Sequence, residues 1–267
     1  MKTMPWSAIL LIPLSLSCDE SKTDGSRAPG ASASSAPVLV PSASPAPAAQ
    51  PAPAAPTWNK RSAGDCKPHS VDFGGDAALE REVRRKLGKE TGAVTAADLA
   101  QIKSINLANG KVHQIDPCIF PMFTSLKDLF LGAGEYDDLT PIQKLTTLEA
   151  LRISLSQVKD LRPIEGLKRL DRLDLSHTLI GDEQLKSVAS LVNVTELMLD
   201  EDQISDLSPV ANMKKLERLS IKKTLVKSLA PLAQLKSLKF LYIADTPVND
   251  ITPVQPMMSN GMKLIQN

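Results

Sequence analysis

The sequence predicts an α/β repeat solenoid: an arc with a concave parallel β-sheet, short convex 3₁₀ or α turns, and an N-terminal helical cap. Three observations predict it. Aligned on Leu126, Leu148, Leu170, Val194, Leu216 and Leu238, the chain repeats in steps of 22, 22, 24, 22 and 22 residues. Each unit carries the same apolar order, so that Leu148, Leu151, Ile153, Val158, Leu161, Ile164 and Leu167 match Leu216, Leu219, Ile221, Val226, Leu229, Leu232 and Leu235. Most units then close on a proline, as in Pro163 and Pro231. A unit of this size buries its apolar edge only against its neighbours, so the period means a one-dimensional stack. Such a stack offers a surface before it offers a cleft, which makes binding the expected activity.

The beginning of the chain stands outside the stack. Lys2 supplies a positive charge, Trp6 to Leu16 is an apolar run too short to remain as a spanning helix, and Ser17 is small. Residues 1–17 read as a secretory signal. Ser17-Cys18 resembles the lipobox of bacterial lipoproteins, with Ser15 standing where that family prefers Leu. The resemblance implies that Cys18 carries lipid and that the chain sits in the bacterial cell envelope, periplasmic or at the cell surface. Ordinary export is the alternative. In residues 19–57, Ala, Pro and Ser fill 26 of 39 positions. That composition has too little large apolar surface to offset ordering, so 18–57 reads as a lipid-anchored disordered tether.

Two cysteines remain. An even pair in an exported chain suggests a Cys66–Cys118 disulfide. A loop of about 50 residues would then stabilise the fold by about 4 kcal/mol in the chain-entropy description. The alternative is two separate thiols, with Cys118 an ordinary small apolar residue.

Residues 58–101 read as the cap. Asp76 is a fair N-cap, Leu79, Val83 and Leu87 recur at helical spacing, and Gly88 ends the helix. Thr95 to Leu99 suggests a second short helix. The run Leu79-Glu80, Val83-Arg84, Leu87-Gly88-Lys89, Val94 to Leu99, Ile102 and Ile105-Asn106-Leu107 resembles the helical cap and first repeat of internalin-like bacterial leucine-rich repeat proteins. The resemblance extends from Asp76 to the C-terminus and implies a leucine-rich repeat horseshoe over 102–267, with an irregular end after Met257, where Met262 and Ile265 could start one more strand.

In each Leu-x-Leu strand the leucines point inward and the residues between them point to solvent. Asp116-Pro117, Thr140-Pro141, Ser208-Pro209 and Thr252-Pro253 mark turn starts on the convex side. Where the family often has an inward Asn ladder, this chain has Gly110, Gly134, Ser156, Thr178, Asp202, Thr224 and Thr246. The longer fourth unit predicts a better α-helix from Gly181 to Leu191, capped by Asp182.

Chemistry is hard to place. His69, His113 and His177 match no zinc spacing, and no acidic partner orients His177 beside Ser176 as a triad requires. Gly132-Ala133-Gly134 lacks the Lys-Ser/Thr of a phosphate loop. Asp200-Glu201-Asp202 and Asp137-Asp138 read as solvated loops rather than calcium sites. No cofactor, no metal and no catalytic residue is assigned. With 31 basic and 30 acidic residues the net charge is +1, which argues against nucleic acid and against a purely electrostatic membrane surface. Membrane contact is expected through the N-terminal lipid alone, and a monomer is expected.

Strand alternation places three exposed columns on the concave face. They run Ser104, Asp128, Ala150, Arg172, Glu196, Arg218, Phe240; then Asn106, Phe130, Arg152, Asp174, Met198, Ser220, Tyr242; then Ala108, Gly132, Ser154, Ser176, Asp200, Lys222, Ala244. The charges alternate and should pair as Arg172–Glu196–Arg218, Arg152–Asp174 and Asp200–Lys222. Such ladders keep a sheet soluble. Aromatics and Arg are also the usual interface anchors. The expected protein-binding residues are therefore Phe130, Arg152, Arg172, Asp174, Glu196, Met198, Arg218, Lys222, Phe240 and Tyr242, centred on Phe240 and Tyr242. A carbohydrate-binding surface and a spacer without a ligand are the alternatives. A further alternative is that residues 257–267 cover the two rings as a terminal lid.

Overall fold

A computed structural model describes residues 60–67 and 71–267, all within Pro53–Asn267. The signal, Cys18, the tether and His69 lie outside the described residues. Eight strands form one parallel sheet in chain order, β1 (Ser104–Leu107), β2 (Asp128–Leu131), β3 (Ala150–Arg152), β4 (Arg172–Asp174), β5 (Glu196–Met198), β6 (Arg218–Ser220), β7 (Phe240–Tyr242) and β8 (Lys263–Ile265). The register runs Ile105, Leu129, Leu151, Leu173, Leu197, Leu219, Leu241, Leu264. Those from Ile105 to Leu241 are wholly buried. A single row of inward apolar side chains thus fixes the register, because a one-residue slip would turn every one of them to solvent.

The cap follows the sequence closely. Helix α1 (Ala77–Leu87) begins at Asp76, whose carboxylate accepts from the Ala78 and Leu79 N–H groups, and ends at Gly88 in the left-handed region. Helix α2 (Ala96–Gln101) is capped by Thr95. Leu79, Val83 and Leu99 are wholly buried. Glu82 is mostly buried, and its Oε1 accepts the Asn106 N–H of β1 at 3.2 Å, closing one edge position of the sheet.

The segment before the cap is clamped to the first repeat. A Cys66–Cys118 disulfide joins them, with Cα atoms 5.1 Å apart. Arg61 Nη1 donates to Asp116 Oδ2 at 3.0 Å, and Arg61 N donates to Gln114 Oε1 at 2.8 Å. Asp116 also accepts from the Cys118 and Ile119 N–H groups. The first convex turn starts later than expected, at Phe120–Met122 rather than at Asp116-Pro117. Asp116 is held by the clamp instead.

The other convex turns share one device. Asp138, Asp160, Asp206, Ser228 and Asp250 each accept the N–H two residues on, at 2.8–3.3 Å, where a 3₁₀ turn with Pro at its second position begins. The fourth unit departs from its expectation. Helix α3 covers only Asp182–Leu185, followed by a 3₁₀ stretch Lys186–Ser190, and its N-cap is Gly181. The Asp182 carboxylate does not cap its own helix; it accepts from Ser205 and Asp206 of the next unit.

Two glycines mark close backbone approach. A Cβ on Gly132 would stand 2.1 Å from the Gly110 carbonyl oxygen, and one on Gly134 would stand 1.7 Å from that of Val112. The glycine-rich stretch is therefore a packing requirement between the first two repeats. At the C-terminal end, helix α4 (Gln255–Ser259) leads into β8, which pairs with β7. Of the readings open for the last segment, one more strand around Met262 to Ile265 is the one realised, and it extends the sheet rather than forming a lid. Phe240 and Tyr242 stay half-exposed.

Candidate concave recognition surface

The sheet face is built by the period. Its columns are the ones strand alternation predicts, with Asp128, Ala150, Arg172, Glu196, Arg218 and Phe240 in register, and Phe130, Arg152, Asp174, Met198, Ser220 and Tyr242 in the next row. Its charges are paired across strands. Arg152 Nε meets Asp174 Oδ2 at 3.0 Å, Lys222 Nζ meets Asp200 Oδ2 at 3.1 Å, and Arg218 Nε meets Glu196 Oε1 at 3.7 Å. Arg172 also reaches over the small, buried Ala150 to Asp128, at 3.3 Å.

Not every residue of the columns is exposed. Asp174 is only 3% exposed, and Ala150, Ser154, Ser176 and Ser220 are buried too. Burial pushes the Asp174 carboxyl up, against the Ser176 N–H and Arg152, which favour its charge. Asp174 thus supports Arg152 from beneath and is not itself an exposed contact.

Beneath the strand ends lies a buried polar row. Thr224 and Thr246 donate to carbonyls of their own units, at 2.7 Å each. Asp202 occupies the equivalent position one unit before Thr224. It is 1% exposed and accepts from Thr178 N and Oγ1 at 2.9 and 3.0 Å, while its Oδ2 has no partner among the described residues. Burial pushes its carboxyl up to about 7, with Asp174 and Asp200 adding in the same direction.

The acidic loops and histidines are engaged. Asp137 pairs with Lys60, and Glu201 pairs with Lys223. His177 Nδ1 lies 3.3 Å from Glu201, an acidic neighbour that the parallel register supplies and that the spacing did not reveal. The adjacent Ser176 Oγ is buried and accepts the Asp200 N–H. No cluster of three or more metal-ligating side chains occurs among the described residues.

The densest arrangement is on β6 to β8. The Arg218 guanidinium stands 4.8 Å from the Phe240 ring centroid, and its Nη1 donates to Tyr242 Oη at 3.1 Å. Lys263 of β8 places its ammonium 6.0 Å from the same ring centroid. Sequence reasoning allowed a strand from Met262 to Ile265 but did not assign Lys263 to the face, because the last unit lacks the full leucine pattern that locates the other strands. Phe130 lies at the opposite end of the sheet, in register with Arg152.

Comparison with solved structures places this architecture. Internalin C2 of Listeria monocytogenes is 27% identical with a TM-score of 0.60, covering 72% of this chain and 93% of that one. Internalin F of the same organism is 25% identical with a TM-score of 0.59, covering 72% and 62% respectively. A Leptospira interrogans leucine-rich repeat protein, 19% identical with a TM-score of 0.51, shares the fold. No family model matches the chain, and no curated protein matches it.

Proposed function

We propose that this internalin-like leucine-rich repeat protein is a non-catalytic, envelope-anchored recognition module that binds a protein partner through its concave face. In this reading residues 1–17 are a signal peptide, Cys18 carries lipid, 18–57 is a tether, 58–101 is the cap and 102–267 presents the repeats. The observation that carries it is the Arg218–Phe240–Tyr242 cluster. Two half-exposed rings are backed by an arginine whose position is already fixed by stacking and hydrogen bonding. Anchors of this kind lose little freedom on binding, which is what an interface hot spot requires. The remaining paired charges give register and solubility.

Against a glycan-binding face stands the same cluster. Stacking on sugars asks for an open ring, and cations already stand over Phe240. Against a reaction centre stands Ser176, which is buried and whose hydroxyl accepts the Asp200 N–H.

The test is site-specific photo-crosslinking in intact cells, with the reactive residue at Phe130, Phe240 or Tyr242 and, as comparison, at Lys186 or Asp206 on the turn side. Adducts to one protein from the sheet positions are expected; adducts from the turn positions alone would overturn the reading. Detergent-phase partition that Cys18→Ala abolishes is expected for the anchor, and a wild type already in the aqueous phase would remove it.

A further inference from the structure

Resting on the concave-face reading, we infer that the partner's contact segment is acidic. The geometry points to Tyr242 Oη and Lys263 Nζ as two donors for a partner carboxylate, with Phe240 as the apolar floor.

The hydroxyl of Tyr242 accepts from Arg218, so its own proton is directed elsewhere, and no acceptor for it lies among the described residues. Lys263 is exposed, and its ammonium forms no ion pair among the described residues; its side chain stands over the Phe240 ring. The neighbouring acids face residues other than Lys263, and Glu196 keeps one buried oxygen, Oε2, without a hydrogen-bond partner among the described residues. Glu196 faces Arg218, Asp200 holds Ser220 and Lys222, and Glu217 holds Lys239. The cluster therefore presents one neutral and one charged donor, neither bonded to a carboxylate among the described residues, beside Arg218, which is paired with Glu196. A carboxylate is the group that accepts from both, and a bond to an ionised group is about twice as strong as a neutral one. Phosphate-rich polymers fit less well, since they favour a longer basic stripe than a single cluster gives. An apolar side chain next to the acid would pack at the edge of the Arg218–Phe240 pair, which makes a peptide the fitting source.

The probe is a dye-labelled random copolymer of glutamate and tyrosine, followed by fluorescence anisotropy with the full chain. Wild type is expected to bind it. Lys263→Gln should weaken binding about tenfold, which is about 1.4 kcal/mol. Lys263→Glu should weaken it further. Tyr242→Phe, which removes the hydroxyl and its bond from Arg218, should weaken it about threefold, with only a small fall in the thermal melt. Lys186→Glu on the turn side should have no effect. Equal binding by wild type and Lys263→Glu overturns the inference, as does an equal loss in Lys186→Glu, which would mean unspecific attraction. Tighter binding of polygalacturonate, lost in Lys263→Glu, would assign the donors to an acidic glycan instead. If the copolymer fails to bind while the sheet positions still crosslink a protein, the acidic assignment falls and protein recognition stands. If both fail, both fall.

Discussion

The two ends of the sheet are finished by different means. At β1, a three-turn helix buries Leu79 and Val83, Glu82 occupies an edge N–H, and a disulfide with a mostly buried Arg61–Asp116 ion pair pins the preceding segment. At β8, a five-residue helix buries Met257, and the strand is held through β7, with no covalent tie among the described residues. In a one-dimensional stack each unit is held by its neighbours, so the ends decide where opening begins. Opening is expected from β8. The candidate anchors Phe240, Tyr242 and Lys263 thus sit on the looser end, and Phe130 on the tighter one.

Removing the clamp is the strongest way to break that contrast. Replacing both Cys66 and Cys118 by Ser should cost about 4 kcal/mol for a 52-residue separation. Hydrogen exchange at β1 and β2 should then resemble that at β7 and β8. Unchanged urea stability after the double substitution would show that the two ends do not differ for this reason.

Next in size is the loss of an inward leucine. Leu219→Ala should cost about 3 kcal/mol, and because β7 and β8 lean on β6, unfolding should separate into two steps. Leu151→Ala, flanked by the clamped repeats, should cost a similar amount in a single step. Identical melt shapes for the two variants would remove the gradient.

Asp202 sharpens the comparison from inside. Its folded carboxyl titrates at about 7, above the ordinary carboxylate value, so the folded state binds the proton more tightly. The stability this confers is fully present below about pH 4 and is lost as the pH rises to about 7. Asp202→Asn keeps the shape without the charge. It should match wild type near pH 4 and exceed it by about 4 kcal/mol at pH 8. A melt series in which the two proteins run parallel across that range would show that Asp202 does not hold the proton.

The smallest expected effect is at the tight edge. Glu82→Ala leaves the Asn106 N–H without its protein acceptor and should cost about 1 kcal/mol. Faster exchange at Asn106 alone is the measurement that locates it.

Much of this was legible in the sequence, because one row of leucines fixes both register and facing. Leu129, Leu151, Leu173, Leu197, Leu219 and Leu241 carry the period, and the columns between them followed directly. What was not legible depends on neighbours of particular size. Asp174 is buried because of what stands beside it, and Arg172 reaches Asp128 because Ala150 is small. Gly132 and Gly134 are dictated by carbonyls of the previous unit. Lys263 escaped because Met262, Leu264 and Ile265 form a strand without the leucine frame. The Cys66–Cys118 pairing was readable as an option and needed the geometry of the first repeat to be realised.

Glu82 has a consequence beyond the stability of β1. A sheet open at both edges has two valences, and copies of it propagate into fibres by adding strand to strand. A carboxylate laid on the Asn106 amide reduces that number to at most one, whatever meets β8. Edge pairing between copies then terminates at a pair, so crowded copies have no route to a growing filament through the β1 edge.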